Sequence, residues 1–142
     1  DIIVLAHQEI TRMWWDERLQ LFEAYISPVV IEEAGRGNEE QAYKRLNLLS
    51  QFQILKATDE IEQLTETYMK KIGLPSKAIR DSAHLAFASG YGLDYLITWN
   101  CAHIANAEFR RRLWDVNLSI GIRTPIICTP EELLGKEFKN VE

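Results

Sequence analysis

Residues 81–107 read DSAHLAFASGYGLDYLITWNCAHIANA, and the fold is decided in this stretch. Asp81, Ser82, Ala83, His84, Leu85, Ala86, Phe87 and Ala88 form a small-residue helix that Gly90 and Gly92 close. Tyr95-Leu96-Ile97-Thr98-Trp99 follows as a β-rich apolar run, the composition of a buried parallel strand. Thr98, Asn100 and His103 stand where that strand ends. Ligands of open α/β sheets bind just beyond the carboxyl ends of the strands. An acid at a helix start and polar side chains at a strand end can therefore converge on one spot.

Outward from this unit, helices and strands alternate. The chain opens in a helix containing Ile2, Leu5, Ile10, Met13 and Trp14. Tyr25-Ile26-Ser27 is a short strand, and Ser27-Pro28 starts the next helix, with Ser as cap and Pro at its first position. That helix carries Val29 to Glu33 and stops near Gly35 and Gly37. Asn38 caps a second helix reaching about Ser50. Gln53-Ile54-Leu55-Lys56 is a strand, Asp59 to Ile72 a helix with Gly73 past its end, and Pro75 begins the Asp81 helix. Asn106 caps a helix carrying Arg110, Arg111 and Arg112. Ile126-Ile127-Cys128 is the last strand, and Thr129 with Glu132 makes a capping box around Pro130. Strands separated by helices predict an α/β sandwich with a mainly parallel sheet, built as a single domain over residues 1–142.

The bulk properties set bounds. A chain of 142 residues suits one domain with a true core. No apolar run approaches the ~20 residues of a membrane span, and no basic n-region opens the chain as in a signal peptide. The two cysteines, Cys101 and Cys128, adjoin predicted strand ends and do not suggest a disulfide-built fold, so we expect a reducing cytoplasm. A net charge of −5 argues against broad adhesion to nucleic acid but leaves room for a local basic strip, with Arg110-Arg111-Arg112 as the strip to consider and Arg123 further along. Phosphate-loop, dinucleotide, nucleophile-elbow, CxxC and HExxH motifs are missing, and His7, His84 and His103 are too scattered for a zinc site.

The pattern D-x-x-H-x-A-x-A, then D-Y-L-I-T-W-N, then H-I-A-N-A resembles the second half of a PIN domain. The likeness is to the bacterial proteins grouped with VapC-type toxins, and it is strengthened by the upstream SPVVIEE segment and the closing Thr129-Pro130-Glu131-Glu132-Leu133. It implies a PIN-like three-layer α/β/α sandwich and a Mg²⁺- or Mn²⁺-dependent ribonuclease. It also implies a small antitoxin as partner, and a homodimer. PIN domains begin with a strand ending in an acid followed by Thr or Ser, and these residues contain no counterpart. That strand sits mid-sheet in the family. We therefore expect the natural N-terminus to lie outside these residues, or a second chain to supply the strand. Without it the sheet would be split.

The resemblance assigns a metal-binding acid to Asp81, which by itself reads equally as a first-turn aspartate complementing the helix dipole. Glu33 matches the family glutamate that follows the second strand. Glu32 is its neighbour, about 100° away on a helix, and a solvated acidic pair is the plain alternative. Asn100 stands where many relatives carry another acid. Its amide oxygen can assist a hard cation, or it can serve as a turn residue. Thr98 and His103 are candidates to orient water or phosphate, and Arg110 and Arg111 to neutralise the RNA backbone. His103 also reads as a helix-cap or surface residue, and Arg112 as part of a solvated face. Trp14, Trp15, Trp99 and Trp114 are expected mostly in the core, Trp99 facing inward. Trp15 is the candidate for an exposed or dimer-interface ring, and His7 reads as ordinary helix surface.

In this scheme Asp81 and Glu33 hold the cation, Asn100 assists, and a water made nucleophilic by the cation attacks the phosphodiester in line. The main rival is a catalytically inactive PIN-like scaffold that binds RNA or a protein partner, motivated by Asn100 and the missing first acid. A nucleotide-binding or flavodoxin-like module shares the alternation but lacks a phosphate loop.

Overall fold

A computed structural model describes residues 2–99 and 106–135 of the chain. The helices are α1 (Ile2–Glu17), α2 (Pro28–Ala34), α3 (Glu39–Leu49), α4 (Asp59–Ile72), α5 (Ile79–Gly90) and α6 (Ala107–Ser119). The strands are β1 (Tyr25–Ile26), β2 (Gln53–Ile54), β3 (Tyr95–Ile97) and β4 (Ile126–Cys128). The protein is thus mixed α/β. Its starts and stops follow local chemistry. Ser27 Oγ accepts the Val30 N–H, Asn38 Oδ1 the Gln41 N–H, and Thr58 Oγ1 the Ile61 N–H. Asn106 Oδ1 takes two amides, those of Glu108 and Phe109, at 2.9 and 3.2 Å. Each cap satisfies a donor that the first helical turn leaves without a partner. Gly73 ends α4 at φ 77°, a left-handed backbone that a side chain would strain.

Both strand pairs are parallel, as expected, but among the described residues they do not join. β1 pairs with β2 and β3 with β4, giving two separate two-stranded sheets. Parallel pairing registers Tyr95 with Ile126 and Ile97 with Cys128, and the Thr98 N–H extends the ladder by donating to the Cys128 carbonyl at 2.9 Å. β4 keeps its expected bounds, whereas β1, β2 and β3 are shorter than the runs that encode them. Beyond Thr98 the chain turns its next ring, Trp99, onto α1 instead of continuing the ladder.

The core lies where α4, α5, α6 and β4 meet: Ile61, Leu64, Tyr68 and Ile72 of α4, Leu85, Ala86 and Phe87 of α5, Leu113 and Ile127. The α4 set follows helical spacing, which puts one stripe inward. On α5, Ser82, Ala86 and Ser89 are buried at the same spacing. Their small size lets the helices approach, and Ser82 Oγ–H donates to the Thr65 carbonyl across the seam at 2.8 Å.

One polar cluster sits inside this core. The Tyr68 hydroxyl donates to Asn117 Oδ1, and Asn117 Nδ2 donates to Ser89 Oγ and Thr124 Oγ1 at 3.3 and 3.0 Å. Burial pushes the Tyr68 phenol upward, with its contacts to Ser89 and Asn117 pulling the other way. Removing Asn117 strands several buried groups at once. Asn117→Ala is expected to cost about 2–4 kcal/mol, and Tyr68→Phe about 1–2 kcal/mol, in urea denaturation.

Cys128 is a free, buried thiol whose ionisation is opposed by burial and then by the Glu132 carboxylate, which together push it up to about 11. The unfolded thiol ionises first, near its ordinary pKa of about 8.5. Its stabilising contribution is therefore complete below that pH and is lost as pH rises toward 11. At pH 8 an alkylating reagent should spare Cys128 in the folded protein and label it in urea, as read by peptide mass spectrometry.

Candidate functional site

Helix α5 leaves the core at its first turn. From Leu85 to Ser89 it is buried on every side, whereas Ile79 and Arg80 are exposed and Asp81 is half-buried. Asp81 and His84 are i, i+3 neighbours, with Cβ atoms about 5–6 Å apart in a helix. They occupy the rim where α5 emerges, on a different face from the Ser82–Ala86–Ser89 seam.

Helix α2 meets this rim. His84 Nε2 lies 2.5 Å from Glu33 Oε1, with the histidine side chain 17% and the glutamate 42% exposed. The neighbouring carboxylate faces elsewhere: Glu32 Oε1 pairs with Arg36 at 2.7 Å and lies 3.9 Å from Arg80. The two acids are thus sorted by partner. Glu33 goes to an imidazole on the Asp81 face, and Glu32 to guanidinium groups. Sequence reading singled out both Asp81 and Glu33 but gave His84 no role. The contact that gives it one spans 51 positions of sequence, and no local pattern carries that information.

Thr98 stands at the carboxyl end of β3, its backbone tied to β4. Asn100 and His103, both expected at the site, lie outside the described residues. Trp99 does not face the core as expected. Its ring stacks on His7 at 3.9 Å with an 8° interplanar angle, and its Nε1–H donates to Thr11 Oγ1 at 2.8 Å. His7 is correspondingly more than helix surface, because it fastens α1 to the strand end. Trp15 is half-buried and packs edge-on against Phe52, and Trp114, expected in the core, is 48% exposed with Arg111 over its ring.

The arginine strip is exposed on α6, whose first turns reach the end of α4 through Arg112 Nη1, which donates to the Ile72 carbonyl at 3.4 Å. Arg111 pairs with Asp115 and Arg112 with Glu108, each at i, i+4 spacing. No ion pair engages Arg110 among the described residues. Arg123 is held by Asp94 at 2.8 Å and adds no cation to the strip.

Asp81 and Glu33 carry carboxylates on separate helices, and His84 Nε2 contacts Glu33 Oε1. Mg²⁺ retains several waters and is commonly held by one or two carboxylates. Among the described residues, no group of three or more His, Cys, Asp or Glu side chains is placed to hold a metal. Comparison with protein-family models, curated proteins and solved structures found no match for the chain.

Proposed function

We propose that this chain is a PIN-like, metal-dependent endoribonuclease that hydrolyses RNA phosphodiester bonds, as the VapC-type toxin of a toxin–antitoxin pair. The observation that carries the reading is the meeting of α2 with the rim of α5. It sets Glu33 against His84, which follows Asp81 by three positions on α5. The parallel pairing of both strand pairs supports it too.

In this reading Asp81 and Glu33 bind Mg²⁺ or Mn²⁺, with Asn100 as a neutral third donor. The cation supplies the Lewis acidity that makes water nucleophilic at neutral pH. Thr98 and His103 orient water or phosphate at the strand end. Arg110 and Arg111 neutralise the RNA backbone from α6, a local attraction that the net charge of −5 does not cancel at short range. A small antitoxin would restrain the enzyme, which would act as a homodimer in the cytoplasm. No described helix is long and apolar enough to cross a membrane.

A second reading, an inactive PIN-like scaffold that binds RNA or a protein, is favoured because no group of three His, Cys, Asp or Glu side chains among the described residues is placed to hold a metal. A Mn²⁺-dependent cleavage assay on a mixed RNA pool separates the two. The nuclease is expected to cut only with metal. Asp81→Asn should lower the rate by on the order of 100-fold or more, the scale set by loss of transition-state charge stabilisation. Equal cleavage by Asp81→Asn would sink the assignment.

A further inference from the structure

We infer that Trp114 is a stacking platform for an unpaired RNA base, with Arg111 backing the ring and Arg110 placed to neutralise a flanking phosphate. The inference rests on the RNA substrate of the proposed ribonuclease and on no metal ion. Helix α6 turns Leu113 fully inward, and the next position, about 100° around the helix, carries Trp114 outward at 48% exposed. A single exposed apolar side chain is ordinary on a protein surface. This ring is not single: Arg110 and Leu118 share its face at i−4 and i+4, and both are exposed.

The charges around the ring select its partner. Arg111 Cζ lies 5.6 Å from the Trp114 ring centroid, within cation–π reach, and Arg111 Nε pairs with Asp115 Oδ1 at 3.4 Å, so the guanidinium is held against the indole. Both acids of α6 are engaged by its own arginines, Asp115 by Arg111 and Glu108 by Arg112. Arg110, one turn before Trp114, makes no ion pair among the described residues and keeps its charge on the face of the ring. The last turn of α4 adds Lys70 and Lys71, where Arg112 reaches the Ile72 carbonyl. Trp and Arg also anchor protein contacts. What favours nucleic acid is that guanidinium groups flank the ring and no α6 carboxylate is left unpaired to repel a phosphate. Single strands are bound by this combination, cations along the backbone and an aromatic face under a base. In a duplex the bases are already stacked on one another, so the platform selects unpaired RNA.

Fluorescence anisotropy of a labelled oligoadenylate in EDTA tests this on the full chain, without metal and therefore without metal-dependent cleavage. The parent is compared with Trp114→Ala, Trp114→Phe, Trp114→Gln and Arg110→Gln, with urea midpoints measured on each. The parent should bind the single strand more tightly than its duplex with oligouridylate. Trp114→Ala should weaken binding roughly 5- to 150-fold, and Trp114→Phe, which keeps a stacking face, should stay within about fivefold of the parent. Trp114→Gln serves in place of the alanine variant if that one does not fold. Arg110→Gln should reduce the salt slope of binding by about 0.7, the scale of one phosphate contact on a single strand, while Trp114→Ala leaves the slope unchanged. A merely structural role would not separate affinity from slope in this way. A folded Trp114→Ala or Trp114→Gln variant with parental affinity overturns the platform, and the RNA reading stands with the strand held elsewhere. A parent that prefers the duplex overturns it as well, and Arg110→Gln with the parental slope overturns the phosphate role. A parent that binds neither form overturns the inference. If that parent still cleaves RNA with Mn²⁺, the ribonuclease reading survives, and if it does not, both fall. A dimer in sedimentation that Trp114→Ala dissociates, with RNA affinity unchanged, would make this face a contact between copies and overturn the inference.

Discussion

The seam between α4 and α5 is the contact on which the rest of the structure depends. Ser82, Ala86 and Ser89 have almost no side-chain bulk, so α5 can lie close against α4 and fill the space with Ile61, Leu64 and Leu85. At Gly90 the approach is closest: a Cβ there would meet Ile61 Cδ1 at 2.5 Å. Close packing of this kind fixes the rotation of α5 about its own axis, because every residue from Leu85 to Ser89 is buried. With the rotation set, the positions of Asp81 and His84 follow. They emerge together at the rim, where a carboxylate and an imidazole can stay partly solvated while α2 closes over one side.

The buried polar cluster adds register to this packing. Apolar seams tolerate sliding and repacking, whereas a hydrogen-bonded network has few satisfied arrangements. Asn117 ties α6 to α4 through Tyr68, to α5 through Ser89, and to the approach to β4 through Thr124. Four separate segments are thereby indexed to one side chain. The strand end that presents Thr98 is positioned in turn, since β3 pairs with β4.

Much of the architecture was legible because its signals are local. Ser27, Asn38, Thr58 and Asn106 cap helices where their residue types predict, and the Thr129–Glu132 box forms, with Thr129 N–H donating to Glu132 Oε1 at 3.1 Å. Parallel pairing follows from strands separated by helices. The long-range contacts were not legible. Alternation places Trp99 inward, but alternation holds only within a ladder, and the strand ends at Ile97. Its ring is then free to seek α1, and His7 and Thr11 receive it. Trp114 looks like core by size alone, yet helical phase puts it outside while Leu113 turns in. At the candidate site the carboxylates could be marked from sequence. The histidine joining α5 to α2 could not, because it depends on how two helices cross.

The central proposal is that the α2–α5 rim takes a divalent cation. Its most direct test is paramagnetic broadening of backbone amide resonances during a Mn²⁺ titration of the protein, because the effect falls steeply with distance from the ion. The account predicts broadening concentrated on Glu33 and Ala34 of α2 and on Asp81, Ser82 and His84 of α5, displaced by excess Mg²⁺. Broadening centred elsewhere, such as the exposed acids Glu39 and Glu40 at the start of α3, would contradict it.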